Sequence, residues 1–158
     1  MFDWIIRNGT VIDGTGAPRL KSDVAIKSNV IVEVGNVEGE SHSEVDAQGK
    51  IVSPGFIDLH THSDSSFLID PHADSKLTQG VTLELFGNCG MSFCAPLIGG
   101  ARSMFEQRID RSGDKLIPTW TDFDGYLTAL EKCGSTINIA TQIGHGTVRS
   151  AVMDMDSR

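Results

Sequence analysis

The stretch Gly55-Phe56-Ile57-Asp58-Leu59-His60-Thr61-His62-Ser63-Asp64 constrains this chain more than any other, because an apolar strand pattern ends there in two histidines one residue apart. Side chains alternate faces along a strand, so the pattern predicts Asp58, His60 and His62, with Asp64 in phase, on one side and Ile57, Leu59 and Thr61 on the other. Two imidazoles on one face lie about 7 Å apart by the rise of a strand and can converge on a single metal ion. A His-x-His that merely caps a strand is the commoner arrangement. Pro54 and Gly55 ahead of the strand, the apolar run feeding it, the in-phase Asp58 and the polar exit through Thr61 and Ser63 favour a metal site here.

Two later strand ends extend the argument. Val81-Thr82-Leu83-Glu84-Leu85-Phe86 has the β-branched, apolar character of a buried parallel strand and runs into Gly87-Asn88-Cys89-Gly90. A thiolate there would face His60 and His62 across adjacent strand ends, and thiolate with imidazole suits zinc better than magnesium or calcium. Ile137 to Ile143 reads as a third strand ending in the loop Gly144-His145-Gly146-Thr147-Val148-Arg149. His145 is a candidate substrate-contacting or supporting residue, whereas Arg149 reads first as a solvated or salt-bridged arginine. Cys94 and Cys133 read as structural.

Between these strands the helix signals are local. Asp70 as N-cap, Pro71 at the first helical position and Gly80 as the stop predict a short helix over 71–79, with His72 exposed in its first turn. Residues 91–120 read as an elaborated loop around a weakly helical 102–110. Thr121-Asp122, apolar residues at 123, 126, 127 and 130, and Gly134 predict a helix. Strand, helix and strand in this order form βαβ units, and three polar strand ends in succession favour a barrel over a flavodoxin-like sheet, although the length permits either.

Residues 1–53 read as a small antiparallel β unit. Asn8-Gly9 is a hairpin signal between Asp3–Arg7 and Thr10–Ile12, Ser28-Asn29 joins two further strands, and Gln48-Gly49 joins a last pair. Glu38 to Ser43 reads as a solvated loop carrying a surface His42.

A chain with 39% hydrophobic and 22% charged residues is composed to bury a core. Its net charge of −8, with no run of basic residues, disfavours nucleic acid and anionic membrane surfaces as partners. No apolar run reaches the 18 or so residues of a membrane span, Asp3 lies where a signal peptide carries positive charge, and three irregularly spaced cysteines form no disulfide framework. The expected location is the cytoplasm.

Pro54 through His62 resembles, at every position, the strand-one signature Pro-Gly-Phe-Ile-Asp-x-His-x-His of the amidohydrolase superfamily. Together with Gly87-Asn88-Cys89-Gly90 and the Gly144–Arg149 loop, the whole chain is similar to the N-terminal part of the N-acyl-D-amino-acid deacylases, or D-aminoacylases. The resemblance implies an α/β fold: a small, incomplete β-rich domain over 1–53, then over 54–158 the first three βα units of a metal-dependent (β/α)8 TIM barrel, truncated. A barrel needs about 250 residues, and 104 (158 minus 54) follow Pro54, so a fragment is expected, an expectation the unclosed ending at 151–158 shares. In the family both strand-one histidines and the strand-two cysteine hold the metal, which assigns His60, His62 and Cys89 as zinc ligands and Asp58 as a support beneath them. The implied activity is hydrolysis of the amide of a small-molecule N-acyl-D-amino acid. The family's two further metal histidines and its proton-relaying aspartate have no counterpart here, the aspartate being expected beyond Arg158, so the fragment by itself is expected to be inactive, with open sheet edges prone to self-association. Alternatives are a hydantoinase-like cyclic-amide hydrolase, which Cys89 disfavours, and a non-catalytic metal-binding module.

Overall fold

The computed structural model describes residues 1–154, so the last four residues of the 151–158 ending lie outside the described residues. The chain divides into two compact units, Met1–Pro54 and Gly55–Arg158.

The first unit is a sheet of β1 (Phe2–Val11), β2 (Leu20–Lys27), β3 (Val30–Gly35), β4 (Ser41–Asp46) and the short β5 (Ile51–Val52). Its order is β3-β2-β1-β4, with β5 also paired to β1. The two hairpin-linked pairs are antiparallel, but β4 and β5 both run parallel to β1, so the sheet is mixed rather than antiparallel. The chain leaves β3 at one edge and returns on the far side of β1, which sets the direction of β4. Hence Gln48-Gly49 joins two strands that do not pair with each other, and His42 lies exposed within β4 rather than in a loop.

Asn8-Gly9 also behaves differently from a hairpin. Asn8 takes a φ of 61° inside a continuous ten-residue β1, and the register against β2 slips between Ile6 and Gly9. The conformational preference that would have made a turn makes a bulge instead, because Asp23 accepts the Asn8 backbone N–H at 2.8 Å and Asp46 accepts from its side chain at 3.1 Å. The expected turn at Ser28-Asn29 does form, with φ of 50° and 62° as a primed hairpin turn requires. Ile5, Ala25 and Val37 make the small core, with Phe2 against it.

In the second unit β6 (Phe56–Asp58), β7 (Val81–Phe86) and β8 (Asn138–Thr141) form a parallel sheet in chain order. Helices α1 (Ser66–Ile69) and α2 (Asp74–Leu77) connect the first pair, α3 (Gly99–Ser112) and α4 (Phe123–Cys133) the second, and α5 (His145–Met153) follows β8. Parallel neighbours need such crossovers. Phe67, Phe86, Leu97, Phe105, Trp120 and Tyr126 are the large members of the core. In α4, Asp122 is the N-cap and accepts from Gly125 N at 2.8 Å, and Tyr126 and Leu130, one turn apart, are the buried pair.

Two helices differ from expectation. The single helix over 71–79 is cut to the four-residue α2, which starts after Ala73 in the left-handed region and leaves His72 outside it, while α1 forms ahead of Pro71 where no helix is expected. The weakly helical 102–110 is the middle of the fourteen-residue α3, which buries Ala101, Phe105 and Ile109 at helical spacing. Among the described residues no helix is long and apolar enough to cross a membrane.

Arg7 ties the first unit together: its guanidinium donates to Asp23 at 3.0 Å, to Val37 O at 2.7 Å and to Glu44 at 2.8 Å. Asp23 is held below the usual carboxylate range by the Asn8 N–H and then by Arg7, and Glu44 by Arg7. A carboxyl depressed in the folded state contributes stability above its unfolded pKa of about 4, and that contribution is lost as pH falls through the folded value. The urea midpoint is therefore expected to drop below about pH 4, and Arg7→Met to weaken that dependence. Equal acid slopes in the two proteins would contradict the assignment.

Candidate metal centre

The ladder of β6 stops at Asp58, two residues before His60, so simple strand alternation does not place the histidines. Residues 59–62 instead run irregularly beside β7. Thr61 N donates to Leu85 O at 3.1 Å, and the Thr61 hydroxyl lies 3.2 Å from Leu85 O and 3.4 Å from a Glu84 oxygen. The two imidazoles emerge with ring centroids 5.8 Å apart and planes inclined at 71°.

Cys89 arrives from the neighbouring strand through a tight turn. Gly87, with φ +82°, follows β7 where a Cβ would lie 2.2 Å from Gln142 O, so no other residue fits. Met91 N then closes on Asn88 O at 2.9 Å, with Cys89 and Gly90 both at positive φ, 56° and 74°. A cysteine in the left-handed region is strained, and such strain concentrates at functional sites. Here it brings the Cys89 sulfur 3.1 Å from His60 Nε2.

One ligand atom each from His60, His62 and Cys89 falls within 4.8 Å of the others, and all three side chains are exposed. Tetrahedral zinc with nitrogen and sulfur ligands spaces them about 3.5 Å apart, so this donor set fits such an ion after small side-chain adjustment.

Beneath the cluster lies a charge network that the sequence reading missed. Lys76, from α2, is 2.9 Å from Asp58 and 2.8 Å from Glu84. Glu84 is fully buried, and the Lys76 ammonium is the partner of its Oε1. Asp58 uses its other oxygen to accept the His60 backbone N–H at 3.3 Å. Lys76, chiefly through its hydrogen bond, and then that N–H hold the Asp58 carboxyl below its ordinary range, while Glu84 and then Asp58 push the Lys76 ammonium up. The legible signal was an acid in the middle of the apolar run Val81–Phe86.

Asp64 is fully buried rather than on the metal-facing side. Its Oδ1 accepts from Phe93 N at 3.1 Å, its carbonyl accepts from the Tyr126 hydroxyl at 2.7 Å, and burial pushes its carboxyl up. Arg108, also missed, lies over the Phe93 ring at 4.2 Å and donates to His62 O at 3.3 Å.

His145 is outside the donor cluster. The segment from Gly144, expected as a loop, is the start of α5, and His145 is its exposed first residue. The flanking glycines serve a close approach: a Cβ on Gly144 would lie 2.5 Å from Gly90 O, and Gly146 N and Thr147 N donate to that same carbonyl at 2.8 and 3.2 Å. The start of α5 thus props the Cys89 turn. Cys94 is buried with its thiol pushed up by desolvation, and the Cys133 thiol donates to Phe67 O at 2.8 Å.

Removing the cation from Glu84 strands a buried charge, so Lys76→Met is expected to cost about 3 kcal/mol in urea unfolding. Adding Glu84→Gln should restore much of that loss, and an undiminished loss in the double variant would sink the account. At Cys89 the metal-free chain should be about 1 kcal/mol more stable with Cys89→Gly than with Cys89→Ala, since only glycine accepts the positive φ without strain. Equal melting temperatures for the two would show that the turn stores no strain.

Residues 43–157 match the model of the amidohydrolase family. The chain is 36% identical over 153 residues to a D-aminoacylase of Alcaligenes xylosoxydans xylosoxydans, covering 96% of this chain and 31% of the relative. Among solved structures, a D-aminoacylase studied for its binuclear metal centre superposes with a TM-score of 0.82 at 37% identity, over 100% of this chain and 32% of that one. An N-acyl-D-glutamate deacylase from Bordetella bronchiseptica, in complex with zinc and a phosphonate mimic of the tetrahedral intermediate, gives 0.79 at 33% identity, over 98% and 32%. The chain thus spans about a third of the length of the relatives it matches. A family match over most of the sequence, joined to two imidazoles and a cysteine sulfur converging at neighbouring strand ends, leads to one assignment: this chain belongs to the amidohydrolase family.

Proposed function

We propose that His60, His62 and Cys89 hold a zinc ion, and that the chain is the N-terminal part of a hydrolase cleaving the amide bond of small-molecule N-acyl-D-amino acids. The observation that carries this reading is the convergence of the three donors within 4.8 Å. Similarity to the D-aminoacylase and to the zinc-bound N-acyl-D-glutamate deacylase supports the choice of metal and substrate class. In this reading β6, β7 and β8 are the first three strands of a (β/α)8 barrel, whose active sites form at the C-terminal strand ends.

A zinc ion in such a site lowers the pKa of a coordinated water and polarises an amide carbonyl. The chain's own residues prepare the place. Asp58 fixes the His60 backbone through its N–H, Lys76 bridges Asp58 and Glu84 below, and Arg108 holds the His62 carbonyl. His145, beside the Cys89 turn prop, is assigned a supporting or substrate-contacting role. Proton transfer to the leaving amine needs a general acid, which the reading assigns to an aspartate outside these 158 residues. Three free cysteines accord with a reducing compartment, the cytoplasm. The edge strand β3, with Val30, Ile31, Val32 and Val34 all exposed, is a surface for self-association when the polypeptide is alone.

The test is release of free amino acid from N-acetyl-D-methionine and N-acetyl-D-glutamate. The polypeptide of these 158 residues is expected to show no zinc-dependent turnover above its His60→Ala variant. The protein encoded by the complete reading frame is expected to turn over and to lose activity on His60→Ala. Turnover by the 158-residue polypeptide would overturn the assignment of the proton relay elsewhere, and an inactive complete protein would overturn the deacylase reading.

A further inference from the structure

The turn that presents Cys89 carries one polar side chain to which the zinc reading gives no part. Asn88 Nδ2 lies 2.9 Å from Leu85 O, 3.3 Å from Thr61 O and 3.5 Å from Leu59 O. All three neighbours are carbonyl oxygens, so the amide nitrogen, not its oxygen, must face them. Leu59 and Thr61 are the residues on either side of His60, and Asn88 itself precedes Cys89. One primary amide therefore grips the backbone on both sides of one donor while being covalently attached to the other.

This grip matters because neither donor is held by a strand ladder. The β6 ladder ends at Asp58 and that of β7 at Phe86. Between these ends the segment 59–62 is positioned against the Cys89 turn by the bonds of Thr61 to Leu85, by the Asp58 and Arg108 contacts at its two ends, and by Asn88. Of these, Asn88 alone links the backbone around His60 to the turn that carries the thiol, one residue before Cys89. Donors kept at ligand spacing before binding do not have to be ordered by the ion, and the affinity gains what the ordering would have cost.

We propose that Asn88 is a positioning residue that sets the His60–Cys89 spacing for metal binding. The inference rests on the zinc reading above. An aspartate at 88 has the same shape but no donor, and turns a charge toward three carbonyl oxygens. Alanine removes the group altogether.

The probe is cobalt(II) added to the metal-free 158-residue chain, followed by its d–d bands and the near-ultraviolet thiolate-to-cobalt absorption, with Cys89→Ala marking the loss of the thiolate. Asn88→Asp and Asn88→Ala are expected to weaken cobalt affinity by about 10- to 100-fold, the usual effect of losing a group that orients a ligand, and to diminish the thiolate band at saturation. A role in stability alone would lower the unfolding temperature and leave the saturated spectrum unchanged. No thiolate band in the unsubstituted chain would overturn the zinc reading and this inference with it. A normal band and unchanged affinity in both variants would overturn the role of Asn88 while leaving the zinc reading intact. Should neither variant stay folded, solvent exchange of the Asn88 side-chain protons in the unsubstituted chain decides the matter by nuclear magnetic resonance: slow exchange supports the grip, and exchange at the rate of a free asparagine overturns it.

Discussion

Glu84, in the middle of β7, has no access to water, and what answers it is the Lys76 ammonium 2.8 Å away. Because Lys76 also meets Asp58, which stands opposite Glu84 in the β6–β7 register, one ammonium bridges both strands where the first loop leaves the sheet. An ion pair with its carboxylate buried and its ammonium partly exposed contributes little net stability, but taking the cation away from the buried acid is costly. It therefore acts less as a source of stability than as a constraint on arrangement: α2, β6 and β7 can pack together only with these three groups in contact.

Above that constraint the two donor segments are held by different means. The segment carrying His60 and His62 is pinned from below by Asp58 and from the side by β7. Cys89 sits on a turn that accepts a strained φ, backed by the start of α5 through the Gly90 carbonyl. Local strain is affordable there because hydrogen bonds from the neighbouring segments overdetermine the turn. The same contacts explain glycines that a motif alone leaves unexplained: Gly87 and Gly144 lie where backbone meets backbone with no room for a Cβ.

In the first unit local signals and tertiary outcome part company in an instructive way. Asn8-Gly9 carries the composition of a hairpin turn, and the positive φ it favours is present, yet β1 continues through it. Pairing with β2 on one side and with β4 and β5 on the other outweighs the local tendency to reverse. Ser28-Asn29, with no third strand to bridge it, does reverse.

The amino-acid sequence by itself determined the candidate donors: the residue types at 60, 62 and 89, the strands that precede them and the capped helix α4 are all readable from composition and spacing, because each depends on residues near in the chain. Tertiary structure alone decided the rest. The parallel entry of β4, the division of 71–79 between a turn and α2, the burial of Asp64, the pairing of Lys76 with Glu84 and the grip of Asn88 each join residues separated along the chain. No local propensity encodes such contacts, since they exist only once packing has excluded water from the groups that make them.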